Sequence, residues 1–162
     1  MAAALVGRPG GASLRPYLEA RAAFPLGFSP DGETVLVSSN VPGTMQLYAA
    51  PRAGGELRAL TAFAEPVGGE YLPTGDRILL AMDEGGNERL QLSLLDPQRP
   101  FVAEPLVHDP AFIHRPGGVT RDGRLLAYAS NRRNGSDFDV YIRELESGDD
   151  RCVLALGGWC EP

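Results

Sequence analysis

A serine nucleophile works only where a strained turn exposes it beside a base and an oxyanion hole. The Gly-x-Ser-x-Gly segment that builds such a turn does not occur in these 162 residues; Gly11-Ala12-Ser13 lacks the second glycine. No catalytic residue is therefore expected, and the chain by itself should hydrolyse nothing. His108 and His114 lie near Asp109 and Arg115. A His–Asp pair could exchange protons, but loop histidines are more often exposed or bonded to backbone. Asp83-Glu84-Gly85-Gly86-Asn87-Glu88 is rich in oxygen ligands. It lacks the alternating spacing of a calcium loop and reads as a solvated acidic turn. Asn134-Gly135-Ser136 matches a glycosylation sequon, yet Asn-Gly is explained by a turn. Cys152 and Cys160 are too few for a disulfide framework and have no zinc-ligand pair beside them; two reduced thiols are expected. No metal or cofactor is expected.

The elements that position these residues follow from an internal repeat. Ser29-Pro30-Asp31-Gly32 and the apolar run after it recur at Leu72-Pro73-Thr74-Gly75 and Thr120-Arg121-Asp122-Gly123. Repeats of 40–50 residues are typical of four-stranded propeller blades. Each Gly suits a hairpin turn that needs a positive φ. Each apolar run is too short for a helix and reads as a strand buried on both faces. Asn40, Asp83 and Asn131 close these runs at one offset. A third strand follows near 45–49, 89–94 and 138–142, with Gln46, Gln91 and Asp139 at matching positions, as if on a wetter side. Fourth strands are expected near 57–61, 102–107 and 152–156. The innermost strands should precede the turns, at about 23–28, 70–72 and 118–120.

The fold class is thus all-β: a β-propeller fragment of about three four-stranded blades plus the start of a fourth. Residues 1–22 form a lead-in, and the partial propeller spans 23–162. Its blades fall at about 23–62, 66–108 and 112–156, with the next beginning at 157–162. Only Leu14 to Ala23 has a plausible amphipathic helical pattern, between Pro16 and Pro25. Three blades cannot close, since propellers use about 4 to 8. Self-association of the open faces is expected, with Trp159 placed against the missing neighbour.

In a four-stranded meander the loops after strands two and four emerge on the same side. That side carries Arg132, Arg133, Arg115, His114, Asp83 and Glu84. A guanidinium forks onto carboxylates, so Arg132, Arg133 and Arg115 are candidates to meet a peptide carboxylate or a partner domain; exposed solubilising charge is the plainer reading. A net charge of −6, with all 15 basic residues arginine, argues against general affinity for nucleic acid or anionic membranes. No apolar stretch approaches the ~20 residues that span a bilayer, and Met1 to Val6 has no basic residue before it. A cytoplasmic location is expected.

Phe28-Ser29-Pro30-Asp31-Gly32, Ser38-Ser39-Asn40, Gln46-Leu47-Tyr48, Gly54-Gly55 and Leu60-Thr61 resemble the repeat of TolB-like propellers and of prolyl oligopeptidase family propellers. The first blade is the closest match. The second departs with Pro73-Thr74-Gly75 and Ser93; the third has Arg121-Asp122-Gly123 but a good Asp139-Val140-Tyr141. The irregular blades and the lead-in Leu14-Arg15-Pro16-Tyr17-Leu18 look most like the acylaminoacyl-peptidase branch. That resemblance implies a propeller gating peptide access to a following α/β-hydrolase domain with a Ser-Asp-His triad. The peptidase would remove acylated or unblocked N-terminal residues from short peptides. An interaction propeller of the TolB type is the alternative. A lyase or hydrolase site in the channel is weaker, because the inner strands lack clustered His and carboxylates.

Overall fold

The computed structural model describes residues 19–160, and every regular element among them is a strand. Half of the helical pattern at Leu14 to Ala23 lies outside the described residues; the other half forms no helix, and Ala23 begins a strand. The twelve strands form three antiparallel meanders. The first sheet is β1 (Ala23–Phe28), β2 (Thr34–Ser39), β3 (Gln46–Pro51) and β4 (Arg58–Ala59). The second is β5 (Val67–Tyr71), β6 (Ile78–Met82), β7 (Gln91–Leu95) and β8 (Ala103–Val107). The third is β9 (His114–Val119), β10 (Leu125–Ser130), β11 (Asp139–Glu144) and β12 (Asp150–Leu154).

The turns form as their residues dictate. Ser29 Oγ donates to Asp31 at 2.6 Å, while Gly32 holds φ at 71°. Thr120 Oγ1 and Asp122 repeat the bond at 2.6 Å, with Gly123 at 70°. The turns of successive blades also touch. A Cβ on Gly75 would meet Pro30 at 3.3 Å, and one on Gly123 would meet Thr74 Cγ2 at 2.7 Å. The glycines therefore serve blade-to-blade approach as well as backbone freedom.

Two apolar layers hold the sheets face to face. Leu36, Leu47, Ala49 and Leu60 pack against Val67, Ile78, Leu80 and Leu95. Leu72, Leu79, Leu92 and Val107 pack against Leu126, Tyr128 and Tyr141. The outer sides are bare: Phe24, Leu26 and Phe28 on β1 are exposed, as are Val153 and Leu154 on β12 and Leu156 beyond it. Gly157 to Cys160 forms no strand, but the Phe138 N–H donates to the Gly158 carbonyl.

Two expectations need correction. The inner strands of the second and third blades start earlier, at Val67 and His114. Gly68, Gly69, Pro116, Gly117 and Gly118 hide them, because none carries an apolar alternation. Gly69 is required: its Cβ would lie 2.9 Å from both Leu47 Cδ1 and the Leu79 carbonyl. Gln46, Gln91 and Asp139 are not on a wet side; all three are buried. Gln46 accepts from the Phe63 N–H and donates to the Phe63 and Glu65 carbonyls. Gln91 accepts from the Asp109 N–H and donates to the Phe112 carbonyl. Each amide latches its blade to the segment leading into the next.

Candidate functional site

The loop face of the third blade carries the three candidate arginines, and the register of its strands decides where each side chain goes. Arg133 follows β10 and turns back onto β11. Its Nε lies 2.6 Å from Asp139 Oδ2 and its Nη2 3.1 Å from Asp139 Oδ1, a two-pronged clamp. Asp137 adds a 3.2 Å pair, and these carboxylates hold the guanidinium's proton more firmly than usual, the Asp139 hydrogen bond foremost. Asp139 thus occupies the latch position of Gln46 and Gln91 but is satisfied by its own loop.

Asp137 ties down the following segment instead, accepting the Gly158 N–H at 2.8 Å. Hydrogen bonds from Asn134 and Gly158 are the leading causes that hold its carboxyl below the usual aspartate range. Trp159 is thereby brought over Phe138, with ring centroids 4.7 Å apart. Arg115 on β9 lies beneath both rings, its guanidinium 4.4 Å from the Trp159 centroid and 5.3 Å from that of Phe138.

Arg132 takes the opposite direction, toward the second blade. Its guanidinium stacks 3.9 Å from the Tyr141 centroid and reaches Asp150 at 3.2 Å. Asp150 also pairs with Arg143 at 2.9 Å. Behind them His114 is buried, with Nδ1 2.9 Å from Ser130 Oγ. Burial, then the positive charge of Arg132, pushes its pKa below the ordinary histidine value.

The three arginines share one end of the blade but do not converge. Arg132 enters the seam with the second blade, Arg115 lies on the open side, and Arg133 closes the loop between them. An incoming carboxylate could share Arg132 with Asp150, or approach the Arg115–Trp159 stack from the open side. No His–Asp dyad forms at Asp109: His108 lies 3.7 Å from Glu84, His114 Nδ1 faces Ser130 Oγ, and the Asp109 carboxylate accepts the Ala111 N–H. The acidic turn satisfies itself: Asp83 accepts the Glu88 N–H, and Asn87 accepts the Arg89 N–H. Among the described residues no group of three or more His, Cys, Asp or Glu side chains is placed to hold a metal, and both cysteines are free thiols. No described helix is long and apolar enough to cross a membrane. The sequence reading missed Asp150 and Arg143; their pairing depends on the β11–β12 register, which local sequence does not announce.

No protein-family model and no curated protein matches the chain. Solved structures do. TolB from Acinetobacter baumannii is 22% identical with a TM-score of 0.65, over 78% of this chain and 31% of that one. A structure described as TolB from Agrobacterium tumefaciens is 19% identical with a TM-score of 0.66, over 85% of this chain and 50% of that one. A structure from a study of two prolyl endopeptidases is 16% identical with a TM-score of 0.63, over 86% of this chain and 23% of that one. The chain therefore spans between 23% and 50% of the length of these structures. At such identities the likeness is one of fold: an open set of TolB-like propeller blades.

Proposed function

We propose that the chain is the non-catalytic propeller portion of a serine peptidase that removes acylated or unblocked N-terminal residues from short peptides. Its part is to gate access to an α/β-hydrolase domain outside these 162 residues. The observation that carries this reading is the pair of bare blade faces on a fold similar to that in the prolyl endopeptidase study: further blades would cover them, and the loop end of the third blade is charged for contact. In this reading Arg115, Arg132 and Arg133 meet either the hydrolase domain or a peptide carboxylate. Self-association of the bare faces belongs to the same proposal.

A second reading, a TolB-type interaction module with no enzyme attached, is favoured by the two TolB structures, whose TM-scores are slightly higher. The reading frame around this segment separates the two. A Gly-x-Ser-x-Gly segment some hundreds of residues downstream supports the peptidase; an upstream export signal with no hydrolase supports the interaction module. A fluorophosphonate probe should leave the 162-residue chain unlabelled. Stoichiometric labelling of any of its serines would overturn the reading.

A further inference from the structure

Each blade ends on an outer strand with one unpaired edge, and an unpaired edge is a template for another strand unless something blocks it. The three edges differ in how they are closed. A loop of the second blade covers β4. The Phe101 N–H donates to the Leu60 carbonyl at 2.8 Å, and Arg58 Nη1 donates to the Pro97 carbonyl at 2.6 Å. Phe101 makes this contact at a φ of 70°, a backbone rare for a residue with a side chain. No such cover reaches β8. The tighter turn Leu145–Asp149 closes on itself, Gly148 N–H to Glu144 carbonyl, and a cleft separates it from Glu104, Pro105 and Leu106. There Pro105 blocks the edge.

The register shows what the proline replaces. Ala59, Pro105 and Cys152 oppose Tyr48, Ser93 and Tyr141, which lie at one offset from Gln46, Gln91 and Asp139. The Glu144 N–H donates to the Asp149 carbonyl. By antiparallel alternation Ile142 and Arg151 exchange bonds, and the N–H and C=O of Asp150 and Cys152 point away from β11. Proline at this position deletes an outward donor. The edge of β12 has neither device: Asp150–Leu154 are all exposed and none is proline. No described group bonds the outward N–H of Asp150 or Cys152.

Arg151 opposes Ile142 as Arg58 opposes Ala49, the same register position. Arg58 holds the covering loop, whereas Arg151 has no hydrogen bond or ion pair with any described residue. The carboxylates around it accept from other donors: Glu144 from Arg124 and Ser147, Asp149 from Ser147, and Asp150 from Arg132 and Arg143.

We propose that the free edge of β12 docks an extended apolar segment of a partner protein, as Pro97–Phe101 docks on β4. Arg151 donates to a backbone carbonyl of that segment. The Val153 carbonyl, in the place of that of Leu60, accepts an N–H. A second copy of this chain fits worse. Symmetric pairing of Asp150 with Cys152 of the copy sets two Arg151 side chains directly opposite, and pairing centred on Cys152 sets Asp150 and Arg151 against Leu154 and Val153. The site is independent of the peptidase reading.

A capped peptide of residues 96–102, the segment that fits β4, tests this on the 162-residue chain. It should shift the Asp150 and Cys152 amide resonances saturably and leave those of Arg58 and Leu60, already covered, in place. N-methylation of its phenylalanine and Arg151→Ala should each weaken binding about tenfold. Cys152→Pro places the device of β8 on β12 without touching the ladder to β11 and should abolish binding; Arg151→Ala carries the test should that variant fail to fold. No shift at β12, equal shifts at both edges, or unchanged affinity in both variants would overturn the proposal. So would sedimentation showing that Cys152→Pro dissolves an oligomer, which would give the edge to a second copy.

Discussion

His114 and Arg133 show how one blade end commits its charged side chains. His114 sits in the fold with a lowered pKa, so the unfolded chain binds the proton more readily below the ordinary histidine value. Stability from this residue is complete above about pH 6.5 and declines as pH falls toward the folded pKa. Arg132, Asp109 and Asp150 face the ring, and only Arg132 adds to the depression that burial begins. Urea unfolding between pH 7.5 and 5 should show the midpoint falling, with a shallower slope in His114→Gln. An unchanged slope would exclude His114 as the titrating group. Arg133 is held differently, because its partner Asp139 has no exposed surface. Arg133→Met strands a buried carboxylate, so the variant should unfold at lower urea than the wild type at neutral pH. Protonating the stranded carboxylate should recover part of that loss at low pH.

At the scale of elements, the stacked turns make the sharpest case. Gly32 and Gly123 hold nearly the same φ, but a Cβ on Gly32 would meet nothing within 4 Å, whereas one on Gly123 would strike Thr74. Gly32→Ala should therefore cost roughly 1–2 kcal/mol from the left-handed backbone alone. Gly123→Ala should cost more, and Thr74→Ala in the same chain should return the difference in a double-mutant cycle. Additive single costs would show that the turns do not press on each other. These turns and the apolar strands after them were legible in the sequence, because Pro-Asp-Gly chemistry and a dense apolar run are local signals. The inner strands were not, since Gly68, Gly69, Pro116, Gly117 and Gly118 take their strand geometry from the neighbour they pair with. The candidate arginines were legible as a shared blade end, from topology. Their separation was not, because Asp139 and Asp150 capture Arg133 and Arg132 through register set elsewhere.

For the whole molecule, the bare faces dominate solution behaviour. Phe24, Leu26 and Phe28 lie on the first strand, and Val153, Leu154, Leu156 and Trp159 on and beyond the last, all substantially exposed. Burying a large apolar side chain contributes roughly 1.5–3 kcal/mol, so several on each face rival a domain's net stability of about 5–15 kcal/mol. Sedimentation equilibrium across a dilution series should show a dimer or larger species, weakened by Trp159→Ala; a fully folded monomer at every concentration would refute it. The amide latches bear on a different matter, the order in which the chain can finish folding as it leaves the ribosome. Gln46 finds its partners 17 and 19 residues later, at Phe63 and Glu65, and Gln91 finds Asp109 and Phe112 18 and 21 residues later. Neither of the first two blades can satisfy its buried amide until about twenty residues of the next stretch have been synthesised. Asp139 already has Arg133, translated six residues before it. The third blade's buried carboxylate is therefore paired as soon as its third strand emerges, without waiting on the segment that follows.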